Sequence, residues 1–147
     1  MAFKNTNDYL SGRKPTVYPS GSEVVAVRYP LALVAADMDL NDAGAVGILP
    51  AGCVPVALYV DSDDLDTGTP AVALSVGLMN SGDTDVSTAW GTGLTVAQAG
   101  GQVQVLDKGM ARMQATNADR KIGVKFTTAP ATAAAGEIGI TLLYRAA

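Results

Sequence analysis

Histidine is absent from the 147 residues, cysteine occurs once, at Cys53, and only 16% of the chain is charged. Without histidine the chain lacks the commonest general base near neutral pH and the commonest zinc ligand. A single cysteine excludes thiolate metal clusters and internal disulfides. Aromatic residues number only eight, and the 48% of apolar residues is built mostly from small side chains, with 24 alanines and 16 valines beside 16 glycines. The longest apolar stretch, Pro30 to Ala36, is too short to cross a bilayer, and residues 1–21 hold no apolar run of signal-peptide length. A coiled coil, a disulfide scaffold and a disordered chain are excluded by the same composition. What remains is one soluble domain, long enough to bury a core without metals or disulfides.

Charge is sorted along the chain. Residues 1–20 carry Lys4, Arg13 and Lys14 against Asp8. From Tyr29 to Asp107 there are ten aspartates and no lysine or arginine, and from Lys108 onward six basic residues face only Asp119 and Glu137. Two arrangements satisfy an acidic middle between basic ends: copies of the chain that attract one another, or folding that brings both ends onto the middle within one subunit. Neither basic stretch is dense, and aromatics are scarce, so no nucleic-acid partner is expected. No membrane partner is expected either.

Residues 1–21 read as an extended arm and residues 22–147 as a single β-sandwich domain. Gly12, Pro15, Pro19 and Gly21 break any helix or central strand in the arm. Yet the arm holds Phe3, Tyr9, Leu10, Val17 and Tyr18, more large apolar groups than a flexible tail carries. Docking of these groups into a neighbour's grooves accounts for both features.

Beyond Ser22 the period is 2. Val25, Val27, Tyr29, Leu31 and Leu33 alternate with smaller or polar residues, and Pro30 puts that strand at an edge or a bend. Val54, Val56, Leu58 and Val60 are expected on one face; Val72, Leu74, Val76 and Leu78 repeat the pattern, as do Ile122, Val124 and Phe126, then Ile138, Ile140, Leu142 and Tyr144. Ser87 to Trp90 and Leu94 to Gln98 fit a helical turn or a short strand equally, while Met110 and Met113 read as strand pieces. Residues 129–135 form a loop despite their alanines. Six or more such segments, separated by Gly, Pro, Asp and Asn turns, predict an all-β antiparallel sandwich or jelly roll.

Few residues carry chemistry. Asp61, Asp63, Asp64 and Asp66 could offer oxygens to a hard cation. Their spacing departs from the calcium-loop pattern, which needs glycine where Asp66 stands and glutamate where Val72 stands. A solvated turn is the plainer reading. The twelve aspartates sit in turns rather than in an apolar cleft that would raise a carboxyl pKa, and no nucleophile elbow, phosphate loop or dinucleotide fingerprint is present. Cys53 reads as a small core residue, and Trp90 as either an interface anchor or a core residue. Neither catalysis nor a cofactor is expected.

The blocks Val46-Gly-Ile-Leu-Pro-Ala-Gly-Cys-Val-Pro-Val56, Val60-Asp-Ser-Asp-Asp-Leu-Asp-Thr-Gly-Thr-Pro70 and Leu74-Ser-Val-Gly77 resemble small structural proteins of tailed bacteriophages, as does the block Asp119-Arg-Lys-Ile-Gly-Val-Lys-Phe126 with its continuation to Tyr144. The likeness spans roughly residues 31–144 and contains no catalytic motif. It implies a non-enzymatic capsid decoration, or cement, protein on the outer head surface of the virion, assembled in the host cytoplasm. The implied partners are the major capsid protein and other copies of the chain, with a trimer favoured at threefold junctions. Attachment is then expected through the arm, at Phe3, Lys4, Tyr9, Leu10, Arg13, Lys14 and Tyr18. The alternatives are a lectin-like host-surface module using the acidic loop and Trp90, or a head-fibre or tail subunit.

Overall fold

Alternating side chains give each strand one apolar face, and two sheets bury those faces against each other. The computed structural model describes residues 2–147, so Met1 of the expected arm lies outside it. Eight strands follow in order: β1 (Val24–Leu33), β2 (Ala43–Leu49), β3 (Cys53–Ser62), β4 (Ala73–Met79), β5 (Val86–Leu94), β6 (Gly101–Val105), β7 (Arg120–Thr128) and β8 (Gly136–Ala146). They form two antiparallel four-stranded sheets, ordered β1-β8-β3-β6 and β2-β7-β4-β5. Only the β4–β5 connection stays within one sheet; every other connection crosses between sheets, which is the wrap of a jelly roll. The expected all-β sandwich is therefore the fold.

The core lies between the sheets. Tyr29, Leu31 and Leu33 of β1, Ile138, Ile140, Leu142 and Tyr144 of β8, and Leu58 and Val60 of β3 face Leu74 and Val76 of β4 and Ile122, Val124 and Phe126 of β7, all fully buried. Each such side chain contributes roughly 1.5–3 kcal/mol by leaving water. Register aligns the buried faces: Tyr29 stands opposite Ile140, and Leu58 opposite Leu142. Pro30 falls on β1, an edge strand, where a missing N–H takes no bond from the ladder.

Three local expectations meet a different or more definite outcome. Val56 does not join Val54, Leu58 and Val60 on the inner face. A register shift between Pro55 and Ala57 leaves it out of the ladder with β8, and its side chain is exposed. Neither Met110 nor Met113 is in a strand: Met110 lies in a single helical turn, α1 (Lys108–Ala111), because the Asp107 carboxylate accepts the Met110 N–H at 3.0 Å and caps the turn, and Met113 follows it outside any strand. The ambiguous segment from Val86 to Gln98 is strand β5 followed by a 3-10 turn, Val96–Gln98. Its period is obscured by repeated register shifts against β4 and by Gly93 at a φ of +64°.

Ile140→Ala should lower the free energy of unfolding by about 2–5 kcal/mol in urea titrations, as expected for a core cavity. Val56→Ala, at the bulge, should change it by less than about 0.5 kcal/mol. Equal losses at the two positions would contradict the register.

Candidate functional site

The arm is strapped across one flank of the sandwich, where the edge strands β1 and β2 lie side by side. Ala2 bridges Ala43 in parallel, and the Phe3 N–H donates to the Ala43 carbonyl at 3.1 Å. The Lys4 N–H donates to Oδ1 of buried Asp37 at 2.9 Å, while Asp37 Oδ2 accepts the Val34 N–H at 3.1 Å. Asn5 donates from Nδ2 to the Ala32 carbonyl at 2.8 Å. Asn7 Nδ2 donates to the Pro30 carbonyl of β1 at 3.0 Å and to the Val46 carbonyl of β2 at 2.5 Å, so one amide ties the two sheets together. Its Oδ1 accepts the Leu10 N–H at 2.9 Å and turns the chain. Edge carbonyls that a sheet leaves without partners are thus satisfied by the arm.

Two aromatic rings lock the strap. Phe3 meets Phe126 edge to face, with centroids 6.1 Å apart. It rests on Gly44, where any Cβ would run into the ring. Tyr9 meets Tyr29 edge to face at 4.8 Å, and the Tyr29 hydroxyl donates to the Ile48 carbonyl of β2 at 2.8 Å. Burial pushes the Tyr29 phenol above its ordinary pKa. At the far end of the arm the Tyr144 hydroxyl donates to the Val17 carbonyl, and burial pushes Tyr144 up to about 12. Asn5 and Asn7 carry much of this attachment, and sequence reading passed over them. The one available signal was a pair of asparagines set among the arm's large apolar groups, Phe3, Tyr9 and Leu10.

Of the arm residues singled out from sequence, Phe3 and Tyr9 lie against the chain's own core and Leu10 is half-buried, whereas Lys4, Arg13, Lys14 and Tyr18 face outward. The two basic ends also behave differently. The C-terminal lysines fold onto the acidic middle of the same chain, Lys121 on Asp83 at 2.5 Å and Lys125 on Asp85 at 2.9 Å. Arm cations do not: Arg13 lies 3.8 Å from Asp8 within the arm, and Lys14 sits over the Tyr9 ring at 5.4 Å.

The acidic loop is spent on holding loops together. Asp61 takes Arg28 in two bonds, at 3.1 and 2.6 Å, and Arg28 also reaches Glu137 at 2.9 Å. Asp63 accepts the Glu137 N–H at 2.8 Å, and Asp64 accepts the Asp66 N–H at 3.0 Å. Asp66, only 1% exposed, receives four backbone N–H groups: Ala71, Val72 and Ala131 on Oδ2 and Thr132 on Oδ1, at 2.8–3.1 Å. It pins the loop of residues 63–72 to that of residues 129–135. Among the described residues no three acidic or cysteine side chains gather where an ion could sit. Of the two places open to Trp90 the structure takes the core: the ring is 4% exposed, with its Nε1–H lacking an acceptor. Cys53 is buried as expected, and burial pushes its thiol up, away from the reactive thiolate.

Backbone hydrogen bonds, that of Thr132 foremost, hold the Asp66 carboxyl well below the usual carboxylate range. A depressed carboxyl stabilises the fold above the unfolded-state pKa, near 4, and that stabilisation fades as pH falls toward the folded-state value. Asp66→Asn should therefore lower the melting temperature at pH 7, with the deficit relative to wild type shrinking in strong acid. Calcium should leave the wild-type melting temperature unchanged. A calcium-dependent rise would restore the ion-binding reading of the loop.

No protein-family model and no curated protein matches the chain. Among solved structures, a chain of the capsid of Ralstonia phage GP4 is 33% identical, with a TM-score of 0.83 over 97% of this chain and 97% of that one. A chain of the cyanophage Pam1 capsid asymmetric unit shares the fold at 23% identity and a TM-score of 0.65, covering 92% of this chain and 96% of that one. A chain of the acidic stable capsid of Helicobacter pylori bacteriophage KHP30 shares it at 11% identity and 0.51, covering 84% and 91%. A likeness at this identity, over 97% of both molecules, makes the chain a member of the family of phage capsid structural proteins represented in the GP4 capsid.

Proposed function

We propose that this protein is a non-enzymatic decoration, or cement, protein that sits on the outer surface of the head and clamps neighbouring major capsid subunits against internal DNA pressure. The observation that carries the reading is the end-to-end likeness to a chain of the GP4 capsid. Support for an added rather than shell-forming role comes from the size and closure of the domain. At 14.9 kDa it completes its own core and seals one flank with its own arm, so folding asks nothing of a lattice. The acidic-loop carboxylates and Trp90, on which a lectin-like reading depended, are engaged within the chain.

Attachment falls to the outward side of the strap. Lys4, Arg13, Lys14 and Tyr18 are exposed, and no carboxylate of the sandwich body pairs with them among the described residues. A docked strip with outward basic side chains meets an acidic neighbour with an on-rate and register set by charge. Phe3, Tyr9 and Leu10 contribute by holding the strap in place. Each copy binds modestly, and self-association, with a trimer at threefold junctions as the economical symmetry, multiplies the hold through effective concentration.

The quadruple variant Lys4→Glu, Arg13→Glu, Lys14→Glu, Tyr18→Ala changes only exposed arm positions and should fold normally. It should lose binding to purified undecorated heads at least tenfold, and wild-type binding should weaken as salt rises. Antibody label should appear over heads in negative stain. Undiminished binding by the variant would move attachment off the strap, and label confined to tails would replace decoration by a tail role.

A further inference from the structure

Among the described residues nothing covers the flank opposite the strap. β5 pairs only with β4 and β6 only with β3, and Gly91 of β5 packs against Val105 of β6. Two free edges, one from each sheet, therefore lie side by side. Free edges of soluble proteins are normally guarded by charged side chains that stop edge-to-edge pairing. Here the 21 residues from Val86 to Leu106, covering both strands and the turn between them, contain no lysine, arginine, aspartate or glutamate. Leu106, at the end of β6, is 77% exposed, more than any other large apolar side chain described. Gln102 and Gln104 of β6 are exposed too, and at the other end of that strand a groove of about 390 Å³ lined by Leu94, Thr95, Val96, Gln102, Val103 and glycines opens where β5 turns into β6.

We infer that this flank is the surface through which copies of the chain join one another, edge to edge. The occupant follows from charge. Each copy carries a net charge of −4, so copies repel unless they meet where neither presents a charge, and residues 86–106 are the longest charge-free run in the sequence. A partner recognised by its own charge finds nothing to pair with there. A second extended edge finds free N–H and C=O groups, glutamines and an apolar rim. The flank sets two unlike edges together, β5 and β6, as a head-to-tail contact that closes into a ring requires. This inference rests on the self-association within the proposed function and names its surface.

The test is the double variant Gln104→Lys, Leu106→Glu, compared with wild type and with Leu40→Glu at an exposed position outside this flank. Sedimentation velocity gives the mass, circular dichroism the fold, and head binding is measured separately. Wild type and Leu40→Glu should sediment as the same oligomer, and the double variant as a folded 14.9 kDa monomer. Amides of β5 and β6 should exchange faster in that monomer. A monomeric wild type, or a double variant that keeps the wild-type mass, overturns the inference. A double variant that stays oligomeric but no longer binds heads overturns it too, and assigns the flank to the shell. Failure of the capsid reading is distinct: an oligomer disrupted by the double variant, with wild type that does not bind heads, upholds the flank and removes the decoration role.

Discussion

Two four-stranded sheets leave four edges, and the backbone groups along them must find partners, water or a cover. The molecule treats its two flanks oppositely. On one, Phe3, Asn5 and Asn7 engage the carbonyls of Ala43, Ala32, Pro30 and Val46, and the rings of Phe3 and Tyr9 close over Phe126 and Tyr29. On the other, no strand or arm among the described residues pairs with the outer edges of β5 and β6. The asymmetry gives the two flanks unlike surfaces, since a covered flank can present only what its cover carries.

What that cover carries is basic. Lys121 and Lys125 of β7 meet aspartates of the same chain, whereas Lys4, Arg13 and Lys14 face outward from a strap that turns Phe3, Asn7 and Tyr9 inward. The arm thus divides its labour by residue type: aromatic and amide groups fasten it, and the side chains of Lys4, Arg13 and Lys14 stay on its exposed face. A similar economy governs the acidic loop. Asp66 gathers four N–H groups from two loops, and Asp61 with Glu137 holds Arg28 over Gly139, where a Cβ would come within 2.5 Å of the guanidinium.

Strands whose inner faces alternate without interruption were legible in the sequence, because burial of one face imposes a period of 2: β1, β4, β7 and β8 lie where Val27, Leu74, Val124 and Ile140 place them. Pro30 marked an edge. Legibility failed where local geometry breaks the period, at the Val56 bulge, along glycine-bearing β5, and at Met110, where a cap from Asp107 outweighs strand preference. The site was half legible. Arm composition announced a docked segment, but which body it docks on depends on partners far away in sequence, such as the Val46 carbonyl for Asn7. The acidic loop read as a solvated turn sooner than an ion site, but spacing could not reveal that its carboxylates are taken up by Arg28 and by backbone N–H groups of neighbouring loops.

The central claim is that this chain is a self-closed unit added to the outside of a phage head, with its strap folded on its own sandwich and the strap's cations turned to the shell. Electron cryomicroscopy of the intact head tests it most directly. The account predicts density for the jelly roll above the shell, with Phe3 seated on Gly44 of the same copy and Arg13 and Lys14 within ion-pair reach of acidic residues of the shell. Density within the shell floor or the tail, or an arm that leaves its own flank to cross into a neighbouring copy, would contradict it.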